Sequence, residues 1–258
     1  MNVEAKPKNK IERIIIVGYP KSGNTWLTRL VAQICNSPVA GFLDANHINV
    51  NDFVIEGEEK PKNFEILKTH HWRRTLRASE KDKIIYIIRD PRQVLYSALH
   101  YFPKVSTQAI AKCGTLERLI LSFCKKELAI WYSIMTRGNS QPTNWLLQSW
   151  ANHVDGFSKD DSVLILRYED LRANSLHALR RVCTYLEIEI SDDQLQKCIL
   201  DHSFEKKKNK LIQAGEHSKA LFMREGKSDS WKTKFPLILR LLIWIRFRKT
   251  MKTHGYEF

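Results

Sequence analysis

Ile14, Ile15, Ile16 and Val17 are apolar without alternation and are closed by Gly18. A short β-branched run of that kind predicts a strand buried on both faces. A polar loop follows, and then "TWLTRLVAQIC", whose apolar residues recur at helical spacing. Three more apolar stretches also end in polar residues: "FEILKTH" from Phe64, "KIIYIIRD" from Lys83 and "SVLILRYEDL" from Ser162. Pro91 is placed to open a helix over "PRQVLYSALHYF", and another helix is expected to begin near Asp170. Near-continuous strands alternating with helices predict a single α/β domain with a central parallel β-sheet flanked by helices. In such sheets ligands sit outside the carboxyl ends of the strands. The loop from Gly18, the "KTHH" from Lys68, Arg89 and Tyr168 all fall at those ends.

Two later segments are less regular. "KKKNKLIQAGEH", Lys206 to His217, reads as a basic helix and loop, either simply solvated or covering a ligand. The stretch Leu237 to Ile245 within "WKTKFPLILRLLIWIRFRKT" is apolar but broken by Arg240, and it is too short to span a bilayer. It is either a helix packed on the core or a basic amphipathic helix lying on a membrane surface.

Length and composition narrow the picture. A chain of 258 residues with 43% hydrophobic and 27% charged residues suits one well-buried domain over 1–258, with residues 1–11 as a flexible arm. The net charge of +14 points to an anionic partner: a nucleotide, nucleic acid, acidic glycan or membrane. Five cysteines without zinc or dithiol spacing are expected to be reduced and mostly buried. "MNVEAKPKNKIER" has no apolar stretch of a signal or anchor, so a cytoplasmic location is expected.

The loop "VGYPKSGNTW" is of the P-loop nucleotide-binding type, but Asn24 stands where a nucleotide hydrolase has its lysine, and the lysine has moved back to Lys21. A glycine loop between strand and helix aims backbone amides and the positive end of the helix dipole at one anion. Asp90 is the only acidic candidate for magnesium at a neighbouring strand end. Two alternatives stand beside the reading that follows. One is a nucleotide-dependent phosphotransferase, and the other is a non-enzymatic binder of acidic glycan or membrane.

"YPKSGNTW", "ILKTHHW", "YIIRDPRQVLYSALHYF", "LRYEDL", "HSFEKKKN" and "FMREGKSDSWK" resemble, in the same order, the segments of the sulfotransferases that use 3′-phosphoadenosine 5′-phosphosulfate (PAPS), of the cytosolic or bacterial type. The resemblance implies that Lys21 and the backbone of Ser22, Gly23, Asn24 and Thr25 hold the 5′-phosphosulfate, with Trp26 stacking on adenine. Arg89 and Ser97 would bind the 3′-phosphate. Tyr168 and Phe204 would contact adenine, with His202 at a position commonly Thr, and Arg224 and Gly226 would close over the 3′-phosphate. Glu225 replaces the usual lysine of that last loop, and Asp229 with Ser230 replaces Gly-Asp, which predicts a weaker phosphate contact there. The family's Lys-Thr-Val dimer signature is not visible, so the oligomeric state stays open.

The implied catalytic residues are His70 as general base, with Lys21 and Lys68 neutralising charge on the sulfuryl group and the leaving phosphate. Strand alternation lets only one of His70 and His71 face the site, and the resemblance assigns His70. PAPS is the implied co-substrate and adenosine 3′,5′-bisphosphate (PAP) the product, with no metal required. The acceptor is a small molecule, lipid or glycan bearing a hydroxyl or amine, and no nucleic acid is expected. Trp72, Tyr101, Phe102, Trp145 and Trp150 are candidates for an aromatic acceptor wall.

Overall fold

The computed structural model describes residues 12–43, 56–101, 113–138, 146–213, 215 and 230–258. The expected N-terminal arm, Arg224, Gly226, Phe102 and Trp145 lie outside them. Five strands, β1 (Glu12–Val17), β2 (Val39–Phe42), β3 (Phe64–Thr69), β4 (Lys83–Ile88) and β5 (Val163–Arg167), form one sheet in the order β2-β3-β1-β4-β5, with every pair parallel. The fold is the α/β sheet flanked by helices that the alternating pattern predicts.

Among the described residues there are eleven helices: α1 (Asn24–Ile34), α2 (Pro91–Tyr101), α3 (Thr115–Ser122), α4 (Lys126–Arg137), α5 (Trp150–Ser158), α6 (Tyr168–Ala173), α7 (Ser175–Leu186), α8 (Asp192–Asp201), α9 (Phe204–Gln213), α10 (Ser230–Lys234) and α11 (Leu237–Thr253). The helix expected near Asp170 starts at Tyr168. Pro91 opens α2 as expected, and Asp90 caps it by accepting from the amides of Arg92, Gln93 and Val94.

Side-chain parity along the central strands divides the interior in two. Ile15, Val17, Tyr86 and Ile88 join a cluster with residues of α2, α4, α5 and α11. Ile14, Ile16, Ile85 and Ile87 join a second cluster with α1, α7 and α8. Burial on both faces is why these strands carry unbroken apolar runs. Trp150 is fully buried, 5.2 Å from the Phe247 ring, so it belongs to the core and not to an acceptor wall. All five cysteines are free thiols, four buried and Cys124 half-buried.

Candidate active site

Strand register brings the predicted residues together. Val17 pairs with Thr69, so Gly18 and His70 leave the sheet side by side. Val17 also pairs with Tyr86, so β4 runs two residues further, and Ile88 pairs with Arg167. Arg89 and Tyr168 therefore leave together, and the guanidinium sits 4.0 Å from the Tyr168 ring centroid. β1 is flanked by β3 and β4, and the chain winds one way from it and then the other, which opens the crevice where such sheets bind ligands.

The loop is shaped by a tight turn. The Ser22 amide donates to the Tyr19 carbonyl at 3.1 Å, with Pro20 and Lys21 as the central residues and Lys21 at φ 72°. Proline followed by a left-handed residue is the arrangement of a type II turn, in which glycine is usual at Lys21's place. Backbone strain of this order, about 1 kcal/mol or more, persists only where surroundings hold it. Arg89 does so by donating from Nη1 to the Lys21 carbonyl at 2.9 Å. Gly23, at φ 107°, begins α1 without any side-chain cap, and a Cβ there would lie 2.7 Å from the Tyr168 ring. The loop thus presents an uncapped helix N-terminus, the arrangement that favours an anion. Ser22 Oγ and Arg89 Nε are buried without a hydrogen-bond partner, one on the loop and one beside it. Unsatisfied buried polar atoms are uncommon, and donors placed around a prospective phosphate site fit a polyanionic nucleotide.

His70 faces the loop. Its Nδ1 lies 2.7 Å from the Gly18 carbonyl oxygen, which can only accept, so Nδ1 carries the proton and Nε2 is the basic nitrogen of the neutral ring. Asn24 donates from Nδ2 to the Thr69 carbonyl at 2.9 Å and lies 3.5 Å from His70 Nδ1, tying the start of α1 to the end of β3. His71 instead uses its amide on Thr69 Oγ1. Lys68, 5% exposed, has Nζ 3.5 Å from Thr25 Oγ1 and 4.4 Å from the centroid of Phe42. Burial pulls the His70 pKa down to about 3; the Gly18 hydrogen bond opposes this and the charges of Lys68, His153 and Lys21 add to it.

A second histidine lies behind the first. Tyr86 Oη is 2.8 Å from His153 Nδ1, and His153 Nε2 is 3.1 Å from the His70 carbonyl oxygen. The carbonyl accepts, so Nε2 donates and Nδ1 receives the phenol proton. Burial lowers the His153 pKa to about 4. Both rings stay neutral in the folded protein where an unfolded histidine, near 6.5, takes a proton. Their contribution to stability is therefore complete above about pH 6.5 and is lost as the pH falls towards 4 and 3. The slope of unfolding free energy against pH near pH 5 should consequently be smaller in His70→Gln than in the wild type by about one proton. Equal slopes would mean that His70 titrates normally in the fold.

Beside Arg89, Trp26 is half-buried and meets Tyr168 edge-on at 5.7 Å between centroids. Arg89 is 8% exposed, and burial lowers its pKa. Neither Asp90 nor Asp170 pairs with it: Arg92 binds both Asp90 oxygens and Arg167 lies 3.7 Å from Asp170. Ser97 is half-buried in the second turn of α2. His202 ends α8 and has its pKa lowered by burial and then by Arg29 of α1. α8 is fastened to α1 by Gln33 Nε2 donating to Asp201 Oδ2 at 3.0 Å. Phe204 begins α9, and its side chain is outside the described residues, as is that of Tyr101. Trp72 is half-buried, 5.6 Å under the Arg74 guanidinium.

Phe42, the Asn24 side chain, Tyr86 and His153 were not predicted. His153 had a signal: it shares a helical face with Trp150, Val154 and Phe157, all fully buried, and a polar residue at such a position needs partners.

Residues 12–254 match the sulfotransferase domain family. The chain belongs to that family, and with this fold and site it is a transferase enzyme. Rat sulfotransferase 2A2 is 27% identical over 246 residues, covering 88% of this chain and 79% of its own. Dog sulfotransferase 1B1 is 26% identical over 271 residues, covering 95% and 85%. Among solved structures, mouse sulfotransferase SULT7A1 complexed with PAP superposes with a TM-score of 0.67 at 21% identity over 94% of this chain and 84% of that one. Retinol dehydratase in a complex with retinol and PAP gives 0.63 at 18%, covering 95% and 83%.

Proposed function

We propose that the enzyme moves a sulfuryl group from PAPS to a hydroxyl or amine of a small acceptor, in line and with His70 as general base. The observation that carries this is the convergence of the Gly18 loop, Lys68, His70, Arg89 and Tyr168 at adjoining strand ends. Lys21, the amides from Ser22 to Thr25 and the α1 N-terminus receive the 5′-phosphosulfate. Arg89 with Ser97 takes the 3′-phosphate, and Trp26, Tyr168, His202 and Phe204 border the adenine. Arg224 and Gly226, outside the described residues, would close over the 3′-phosphate. Solved relatives in the fold family hold PAP, which supports this donor.

In the transfer, the acceptor oxygen or nitrogen forms a bond to sulfur while the bond from sulfur to the 5′-phosphate oxygen breaks. His70 Nε2 takes the acceptor proton, and the phosphate oxygen leaves with the bonding pair as PAP. Gly18 holds the tautomer that this requires. Lys21 and Lys68 stabilise negative charge where it grows, the electrostatic logic that phosphoryl transfer also uses. No metal takes part in this scheme, and Asp90 remains bound to Arg92. Five free thiols and no disulfide among the described residues support a cytoplasmic setting.

Thermal unfolding tests the reading directly. In EDTA, PAP at about 100 times its dissociation constant adds roughly 2.7 kcal/mol, a shift of about 5 to 10 °C for this size. ADP should give much less. A shift only with magnesium ATP would make the protein a phosphotransferase, and no shift with any nucleotide would remove the donor site.

A further inference from the structure

α11 is apolar on two sides. Leu239, Ile243, Phe247 and Met251, four apart, are buried on the side that meets α2 and α5. On the other side Leu237, Leu241 and Ile245 repeat that spacing and are 61%, 40% and 58% exposed, with Ile238 beside them. The same stripe then turns basic, at exposed Arg248, Lys249 and Lys252, and exposed Lys234 precedes it. About 12 Å of apolar helix surface is thus bracketed by cations. From Ser230 to Tyr256 the sequence has seven lysines and arginines and no acidic residue. At its edge Trp244 meets Phe258, 58% exposed, at 6.1 Å.

A helix apolar all round is normally covered all round, and a contiguous exposed apolar patch marks a binding face. We propose that this face of α11 docks on an anionic lipid surface. Leu237, Leu241 and Ile245 enter the acyl boundary while Arg248, Lys249 and Lys252 extend to the head groups. The inference is independent of the sulfuryl-transfer reading. Nucleic acid or a soluble acidic glycan gives no use for exposed leucine and isoleucine. A second copy packed by a two-fold axis would set basic ends against basic ends in either direction, because both ends of the stripe are positive. Lipid satisfies both halves, and the net charge of +14 draws the protein to it. Among the described residues no helix is long and apolar enough to cross a membrane, so contact is with one leaflet.

The test is co-sedimentation of the full chain with vesicles of phosphatidylcholine alone and of phosphatidylcholine mixed with phosphatidylserine, at low and high salt. Binding should require phosphatidylserine and weaken with salt. Each basic side chain near an anionic surface contributes about fivefold to partitioning, so Arg248→Gln with Lys249→Gln should lose about 25-fold. Leu241→Ser with Ile245→Ser should lose about tenfold or more. Both pairs are exposed, and melting temperatures near the wild-type value would establish that they fold. Failure of the wild-type chain to bind the mixed vesicles at low salt overturns the proposal, as does binding that both variants retain. A wild-type dimer that Leu241→Ser with Ile245→Ser dissolves, without vesicle binding, would make the occupant a second copy and also overturn it.

Discussion

His70→Gln should lower kcat by about 10² to 10⁴, the range in which a positioned general base acts. The geometry says why the loss should fall on turnover. His70 spends Nδ1 on the Gly18 carbonyl, so the ring offers one basic nitrogen in a fixed orientation. Burial keeps it neutral, with a pKa near 3 in the free protein. Glutamine can keep a hydrogen bond to Gly18 and supplies no base. PAP affinity, read by the thermal shift, should change less than threefold, or about 0.6 kcal/mol. His71→Gln should retain most of the turnover, since the His71 contact to Thr69 Oγ1 is made by its backbone amide, which the substitution keeps. A His70→Gln enzyme keeping more than about a tenth of wild-type kcat would end the base assignment.

Arg89→Gln should weaken PAP by about 10- to 150-fold, which is 1.5 to 3 kcal/mol for a charged hydrogen bond. ADP, without a 3′-phosphate, is the control, and its affinity should move far less. The distinction matters because Arg89 does two things. Its Nη1 holds the strained Lys21 turn, while its Nε is buried without a partner. A purely structural role would weaken both nucleotides alike, through a relaxed loop. Selective loss of PAP is the signature of a 3′-phosphate contact, and an equal loss of PAP and ADP would move the 3′-phosphate elsewhere.

The four strands and their polar ends were legible because strands buried on both faces need unbroken apolar runs, and such runs stop abruptly where the ligand begins. β2 was not. It has four residues, a glycine at φ 118° and a register shift between Val39 and Gly41, so neither length nor pattern distinguishes it. Lys21, Lys68, His70 and Arg89 could be named from strand ends and motif order, but which of two adjacent histidines meets Gly18 depends on register, a long-range property. The Tyr86–His153 pair was hidden for the same reason, its members being 67 residues apart. Trp150 looked suited to a pocket wall because indole serves core and ligand equally, and only burial distinguishes the two uses. The acceptor remained unread because the candidate wall is distributed over segments with no shared pattern.

The alignment of β3 and β4 against β1 also sets where the gene can change length. Adding or deleting one residue near the start of Phe64–Thr69 would turn Lys68 and His70 together to the other side of the strand and take Ile66 out of its cluster. The same event in a connecting loop leaves both where they are. Length variation among descendants of this sequence should therefore collect between the strands and stop short of each by a residue or two, so that a comparison of gap positions alone would outline the strand ends where Lys68, His70 and Arg89 gather.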